Sequence, residues 1–435
     1  MTARILVVAP DLPHPPFTGA HTRPLSLIRA LARHYEVVVV GSAAPGAELA
    51  PLEDLCLAVG RLRAEPYRRG PARSLLAAAR RSLTPVPLIG RSSSRALARL
   101  VDDALQKFSP DAIQMETMYA VHYRRAGLPA VIDLPDVVSG LCAAAAAAHP
   151  LRYAAARAQA RAAERVERER LAAFAAILTI NEADADRLRG LGLVPTMVPL
   201  AIEPPSETEV ACGASGGTAA HAGGNGHPAP LRALQALFVA SFEHLPNREA
   251  ARFIAERLVP ALRRCGVAAR VVVAGRGARG LDLLEIGYPP SVPAGRGVSL
   301  EVVSDPADLA PLYRRADVVI VPLAFGGGTK NKTLEAMGWA RPVVGTPQAF
   351  TGLPGALAGE AFVQTPLDAG AMADALARLA ADAALRERLG RAARAYVLAA
   401  HTQARVDAAM DDVYERVLGA GARSASGVRA AGASA

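Results

Sequence analysis

Apolar residues in this chain gather in short, mostly apolar runs set apart by longer mixed stretches, the first of them unbroken. The runs fall at residues 5–9, 36–40, 112–115, 130–133 and 176–180, then at 236–240, 270–274, 298–303, 318–321 and 343–344. A short run without polar alternation predicts a strand covered on both faces, as in a parallel sheet packed between helices. After the first run the spacing changes. Leu25, Ile28, Leu31 and Ala32 share one face of a helix, with Thr22 placed as its N-cap. Strand, helix, strand at the start predicts a mononucleotide-type unit. Helical patterning also covers residues 151–174, 249–264, 368–381, 385–400 and 402–418.

The pattern breaks in the middle. Residues 203–230 include ACGASGGTAAHAGGNGHPAP, which has no hydrophobic period and many glycines, the composition of a linker or surface insertion. The expected organisation is an N-terminal Rossmann-like domain over 1–202, a glycine-rich linker over 203–230 and a second Rossmann-like domain over 231–400. A helix over 401–418 is placed so that it can pack back on the first domain, ahead of a disordered tail over 419–435. The fold class is therefore α/β, with two Rossmann-like domains facing each other across a cleft where ligands belong.

Length and composition agree with two cores. At 435 residues the chain exceeds one ordinary core, and 51% hydrophobic against 20% charged residues is a globular balance. The net charge of +9 comes from scattered arginines, as over 152–170, without the aromatic-laced basic stripe that nucleic acid requires. Such a field suits anionic small substrates or an acidic membrane surface, or serves solubility alone. Cys56, Cys142, Cys212 and Cys265 show no CxxC pairing and no histidines at metal spacing, so neither disulfides nor a metal site is expected. The N-terminal MTARILVVAPDL lacks a signal-peptide core, and no apolar stretch reaches the roughly 20 residues of a membrane span. The expectation is a cytoplasmic protein, at most peripheral on the inner membrane face.

The densest chemistry lies at residues 317–347, DVVIVPLAFGGGTKNKTLEAMGWARPVVGTP. A buried-type strand stops at Pro322, and Gly326, Gly327, Gly328 and Thr329 lead into a helical pattern. A helix N-terminus offers unsatisfied N–H donors and partial positive charge, and glycines clear the approach for a phosphate. Lys330 and Lys332 add full charges. Glu335, about a turn on, suits the hydroxyls of a ribose. Phosphate donors beside a hydroxyl acceptor point to a nucleotide diphosphate.

Other loops are expected to converge on the same cleft. Residues 10–19 leave the first strand, and Gly19 lets backbone approach a ligand, with His21 and Arg23 at the adjacent helix start. The segment VIDLPDVVSG sets Asp133 and Asp136 at a strand's C-terminal end. There a carboxylate binds sugar hydroxyls or accepts a proton, or else caps a turn. In AGRG, Gly275 and Gly277 flank Arg276, which can reach a diphosphate bidentately or stand as a solvated turn arginine.

These residues resemble the GT-B glycosyltransferases of the large retaining group 4, and especially its exopolysaccharide-associated bacterial branch. The resemblance is carried in order by VAPDLPHPPFTGAHTRPLSLIRALA, VIDLPDVVSG, LFVASFEHLPNREAARFI, the long motif above and FTGL at 350–353. It implies a hexosyltransferase-type enzyme moving a sugar from a nucleotide-diphosphate sugar to an acceptor hydroxyl with retention and no metal or other cofactor. The acceptor would be a saccharide or lipid-linked intermediate of polysaccharide or glycoconjugate biosynthesis. The second domain would hold the donor through Gly19, Gly275, Gly277, Gly327, Gly328, Thr329, Lys330 and Glu335, with Gly19 contributed from the first. The first domain would hold the acceptor through His21, Arg23 and Asp133. Lys332, Arg276 and Asp136 would carry the chemistry.

Departures from the family pattern are also visible. Gly327 stands where many members have a first glutamate, and residues 241–248 lack the common arginine–lysine pair, with Asn247 and Arg248 as substitutes. Pro135 and Asp136 fall where some relatives carry a histidine. Two alternatives keep the fold but change the function: a nucleotide-sugar 2-epimerase and a non-catalytic partner subunit.

Overall fold

The computed structural model describes residues 2–14, 19–43, 47–63, 94–148, 156–214, 233–281 and 297–419. The chain divides into two compact units, one built from the residues up to Ala201 together with those from Gln403 on, the other from Ile202–Thr402.

In the first unit the strands are β1 (Arg4–Asp11), β2 (Glu36–Ala43), β3 (Ala58–Arg63), β4 (Ala112–Glu116), β5 (Ala130–Leu134), β6 (Ala176–Thr179) and β7 (Pro195–Met197). They form a parallel sheet in the order β3-β2-β1-β4-β5-β6-β7. The apolar runs are explained by where alternate side chains go. Leu6 and Val8 join Val38, Val40, Ile113 and Met115 under the Arg95–Phe108 helix. Ile5 and Val7 point the other way, joining Val37 and Val39 under the Gly19–Ala32 and Gln403–Leu418 helices. Each such fully buried aliphatic side chain contributes about 1.5–3 kcal/mol. The Gln403–Leu418 helix is fixed there by Val406, Met410 and Val413, and by Tyr414, whose hydroxyl donates to Gln114 Oε1 at 2.8 Å.

The second unit repeats the plan with β8 (Leu234–Val239), β9 (Ala269–Gly275), β10 (Val298–Ser304), β11 (Val318–Val321), β12 (Val343–Gly345) and β13 (Phe362–Gln364), ordered β10-β9-β8-β11-β12-β13 and parallel.

Several expectations shift. The first helix starts at Gly19, so Thr22 lies inside it rather than capping it, and Pro24 forfeits one early hydrogen bond. The helix placed at 249–264 begins at Leu245 and contains a wide turn at Ile254–Leu258, directly ahead of Pro260. A proline ring clashes with the carbonyl four residues back, which a widened turn relieves. The segment assigned to the linker opens with a helix, Glu207–Ala214. Ser206 Oγ accepts from the Glu209 N–H while Glu209 Oε2 accepts from the Ser206 N–H, a capping box that starts a helix whatever the composition beyond it. Most of the glycine-rich stretch and the tail expected over 419–435 lie outside the described residues. No helix among the described residues is long and apolar enough to cross a membrane.

Candidate active site

In the second sheet the chain leaves β8 toward β9 and β11 toward β12, in opposite directions. The C-terminal ends of the two central strands at such a reversal are where open α/β sheets bind ligands.

The loop after β11 leads into the Asn331–Gly338 helix. Gly326 (φ 152°) and Gly328 (φ 58°) adopt backbone conformations that strain any other residue, whereas Gly327 does not. Lys330 folds back, its Nζ donating to the Gly327 and Gly328 carbonyls at 2.5 Å each and tying the loop together. Thr329 is 8% exposed, and its Oγ1 has no hydrogen-bond partner among the described residues. An unpaired buried hydroxyl is costly, so this one favours a ligand that completes it.

Lys332, in the first turn of the helix, donates from Nζ to Asn247 Oδ1 at 2.5 Å and lies 4.9 Å from the centre of the Phe238 ring. Loss of solvent, and then the nearby Lys330 charge, push its pKa down to about 7 against an opposing pull from Glu335. Asn247 also donates from Nδ2 to the Ser241 carbonyl at 2.7 Å. The ends of β8 and β11 are thereby joined through one amide and one ammonium. His244 stands in the same group: burial lowers its pKa first, and Lys332 and Arg248 lower it further, against Glu243.

Glu335 follows Lys332 by three residues, on the same helical face. Its Oε2 accepts the Tyr313 hydroxyl at 3.0 Å, and the Tyr313 ring stacks on Trp339 with centres 6.1 Å apart. Burial raises the Glu335 pKa, opposed by the Tyr313 hydrogen bond and by Lys332.

Gly275, at the end of β9, has φ 137°, and a Cβ there would stand 2.0 Å from the Ala240 carbonyl oxygen. Only glycine fits this close approach of two strand ends. Gly277 (φ 73°) donates its N–H to Asp305 Oδ1 at 3.0 Å. Arg276 is exposed and pairs with Glu243 at 3.3 Å, one residue from His244.

The first unit requires a correction. Arg23 and Asp133, expected to meet an acceptor, are 2% and 0% exposed and bind each other: Nη2 to Oδ1 at 2.7 Å and Nε to Oδ2 at 3.0 Å. Arg23 Nη1 also donates to the Pro199 carbonyl at 2.8 Å. Both groups are enclosed and turned toward each other, the arrangement of a structural ion pair. Beside it Glu116 is buried, and burial followed by the Asp133 charge raises its pKa. Gly19 is the first residue of its helix, His21 follows in the first turn, and Asp136 lies half-buried in the turn after β5.

Asn247, as the partner of Lys332, and Tyr313, as the partner of Glu335, went unrecognised in the sequence. One signal was present. Of 49 basic residues only Lys107, Lys330 and Lys332 are lysines, so a chain that otherwise uses arginine places two of three lysines at this loop. Lysine is the cation whose pKa shifts readily on burial and which binds phosphate as a compact charge.

Two family models match the chain: "Glycosyl transferase 4-like domain" over residues 18–201 and "Glycosyl transferases group 1" over residues 233–382. No curated protein matches it by sequence. Among solved structures, sucrose-phosphate synthase from Thermosynechococcus elongatus is similar at TM-score 0.67 and 17% identity, covering 96% of this chain and 100% of that one. Anabaena Alr3699/HepE in complex with UDP and glucose gives TM-score 0.60 at 14% identity, over 95% and 100% of the two chains. WaaG, a glycosyltransferase involved in lipopolysaccharide biosynthesis, gives 0.60 at 15% identity, over 94% and 99%.

Proposed function

This chain belongs to the group 1, 4-like glycosyltransferases and has their two-domain GT-B fold, and from that premise we propose that it moves a sugar from a nucleotide-diphosphate sugar to an acceptor hydroxyl with retention. The observation that carries the reading is the placing of Lys332 and Glu335 three residues apart on the helix that follows the glycine loop. A pyrophosphate needs positive charge and N–H donors, and a ribose needs a carboxylate acceptor. One helical turn offers both.

In this reading the bond between the anomeric carbon and the diphosphate oxygen breaks, and negative charge builds on the departing diphosphate. Lys332 and the helix N-terminus after Gly328 neutralise that charge, with Arg276 at the neighbouring strand end. The departing oxygen takes the proton of the acceptor hydroxyl as that hydroxyl attacks from the same face, so the anomeric configuration is kept. The side chains act by positioning and electrostatics. Glu335 holds the ribose with the carboxylate oxygen that Tyr313 leaves free. The acceptor belongs to the saccharides or lipid-linked sugars, and the net charge of +9 favours an anionic donor and an acidic surface. Anabaena HepE, crystallised with UDP, supports a nucleotide donor for this fold.

Calorimetry with UDP, GDP and ADP tests the reading. One of the three is expected to bind the wild type and to lose affinity in Lys332→Ala and Glu335→Ala. Binding of none, or binding indifferent to both substitutions, removes it. Product anomer analysis by NMR tests retention.

A further inference from the structure

We propose that Asn247 is the positioning residue for Lys332, its neutral side-chain amide fixing the ammonium beside the glycine loop while leaving its charge for a diphosphate. This role deepens the glycosyltransferase reading of the same site and rests on it for the ligand, while the hold on the lysine is a property of the free protein.

Asn247 lies in the first turn of the Leu245–Phe253 helix that follows β8. Its Nδ2 donates to the Ser241 carbonyl at 2.7 Å, which sets the plane of the amide and directs Oδ1 at Lys332 Nζ. A flipped amide would oppose two donors at the lysine and two acceptors at Ser241, losing both contacts, so a single orientation survives. The ammonium has three protons. Asn247 takes one, the Phe238 ring covers one side at 4.9 Å, and the remaining donors are left for a ligand.

The neutrality of the amide matters as much as its geometry. A carboxylate at this position would pair with Lys332 and compete with the diphosphate, whereas an amide oxygen holds the cation without cancelling it. The titratable groups around the ammonium come from two elements. Lys330 and Glu335 flank it on its own loop and helix, and His244, biased by Glu243 and Arg248, faces it from the loop after β8. The family pattern has an arginine–lysine pair after β8, which this chain lacks. Here the cation comes from the helix after β11, and the helix after β8 supplies its holder.

The test uses [15N]lysine-labelled full-length protein, in which three lysine signals are assigned through Lys107→Arg, Lys330→Arg and Lys332→Arg variants. Wild type, Asn247→Asp and Asn247→Leu are titrated ligand-free, and UDP and GDP affinities are measured by calorimetry. In Asn247→Asp the Lys332 midpoint is expected to rise by about one pH unit or more, since an opposite charge favours the ammonium. Both variants are expected to bind the nucleoside diphosphate on the order of tenfold more weakly. An unmoved Lys332 midpoint in Asn247→Asp, or affinities within about twofold of wild type in both variants, overturns the proposal. If wild type binds no nucleoside diphosphate, the functional reading fails, and the midpoint in the near-isosteric Asp variant still decides whether Asn247 holds the lysine.

Discussion

Tyr313 donates its hydroxyl to Glu335 Oε2 at 3.0 Å, so one oxygen of the carboxylate is already committed before any ligand arrives. The ring beneath is 2% exposed and stacked on Trp339, which leaves the phenol little freedom. Tyr313→Phe keeps the packing and deletes only the donor. It should lower stability by about 1 kcal/mol. It should also raise the Glu335 pKa further, because the lost hydrogen bond had opposed the effect of burial. If Glu335 binds the ribose, the variant will also discriminate less between UDP and 2′,3′-dideoxy-UDP. Calorimetry with the two ligands reads this, and unchanged discrimination would detach Tyr313 from ligand binding.

Lys332→Ala removes the cation assigned to the leaving diphosphate. Electrostatic stabilisers of this kind are worth on the order of a hundredfold or more in turnover. Steady-state assay with the best-binding nucleotide sugar should show that loss in kcat, and wild-type turnover would end the proposed role.

The depressed Lys332 pKa makes two pH effects predictable. The ammonium is lost as pH rises through about 7, so diphosphate binding should weaken across that point and take up a proton. Calorimetry in buffers of different ionisation enthalpy measures the uptake, which Lys332→Met should abolish. For stability the sign runs through the unfolded chain. Between the folded value near 7 and the ordinary 10.5, the unfolded state holds the extra proton, so native stability rises with pH over that window. The penalty is greatest below it. Lys332→Met should therefore raise the melting temperature by a few degrees near pH 6 and by less near pH 9. Equal shifts at both would show an unperturbed lysine.

The sequence revealed what is local. Runs such as residues 5–9 and 318–321 announce strands because both sheet faces are covered, and the glycine loop with Lys332 and Glu335 is read within one short motif. Strand β3, AVGRLR, escaped because it is an edge strand whose arginines break the run, and β7 and β13 are only three residues long. Contacts across the chain left no pattern to read. Lys332 meets Asn247 over 85 positions, and Arg23 meets Asp133 over 110. Only the tertiary fold shows that the first pair is half-buried beside the glycine loop and the second is enclosed.

Gly275→Ala tests the geometry that brings β8 and β9 together at the site. The new Cβ would lie 2.0 Å from the Ala240 carbonyl oxygen, at a φ of 137°. Backbone strain alone is worth about 1–3 kcal/mol, and the clash with a backbone atom adds to it. Denaturant melts should show a loss above about 2 kcal/mol. Since Arg276 follows directly, nucleoside diphosphate affinity should fall too. A variant of wild-type stability would mean that these strand ends can separate freely.

Arg23 separates a structural pair from an acceptor site by the size and kind of its effect. Its guanidinium is enclosed with Asp133, and removing one partner leaves an uncompensated buried charge, which typically costs about 3–5 kcal/mol. Arg23→Ala should therefore unfold at much lower denaturant. The double variant Arg23→Met with Asp133→Leu should recover much of the loss, because an apolar pair of similar volume needs no ion partner. Arg276→Ala provides the contrast: its ion pair with Glu243 is half-exposed and contributes at most about 1 kcal/mol to stability. Urea melts of the three proteins, with steady-state KM for acceptor on those that fold, distinguish the roles. If Arg23→Ala folds normally and only its acceptor KM rises, Arg23 contacts substrate and the structural assignment is wrong.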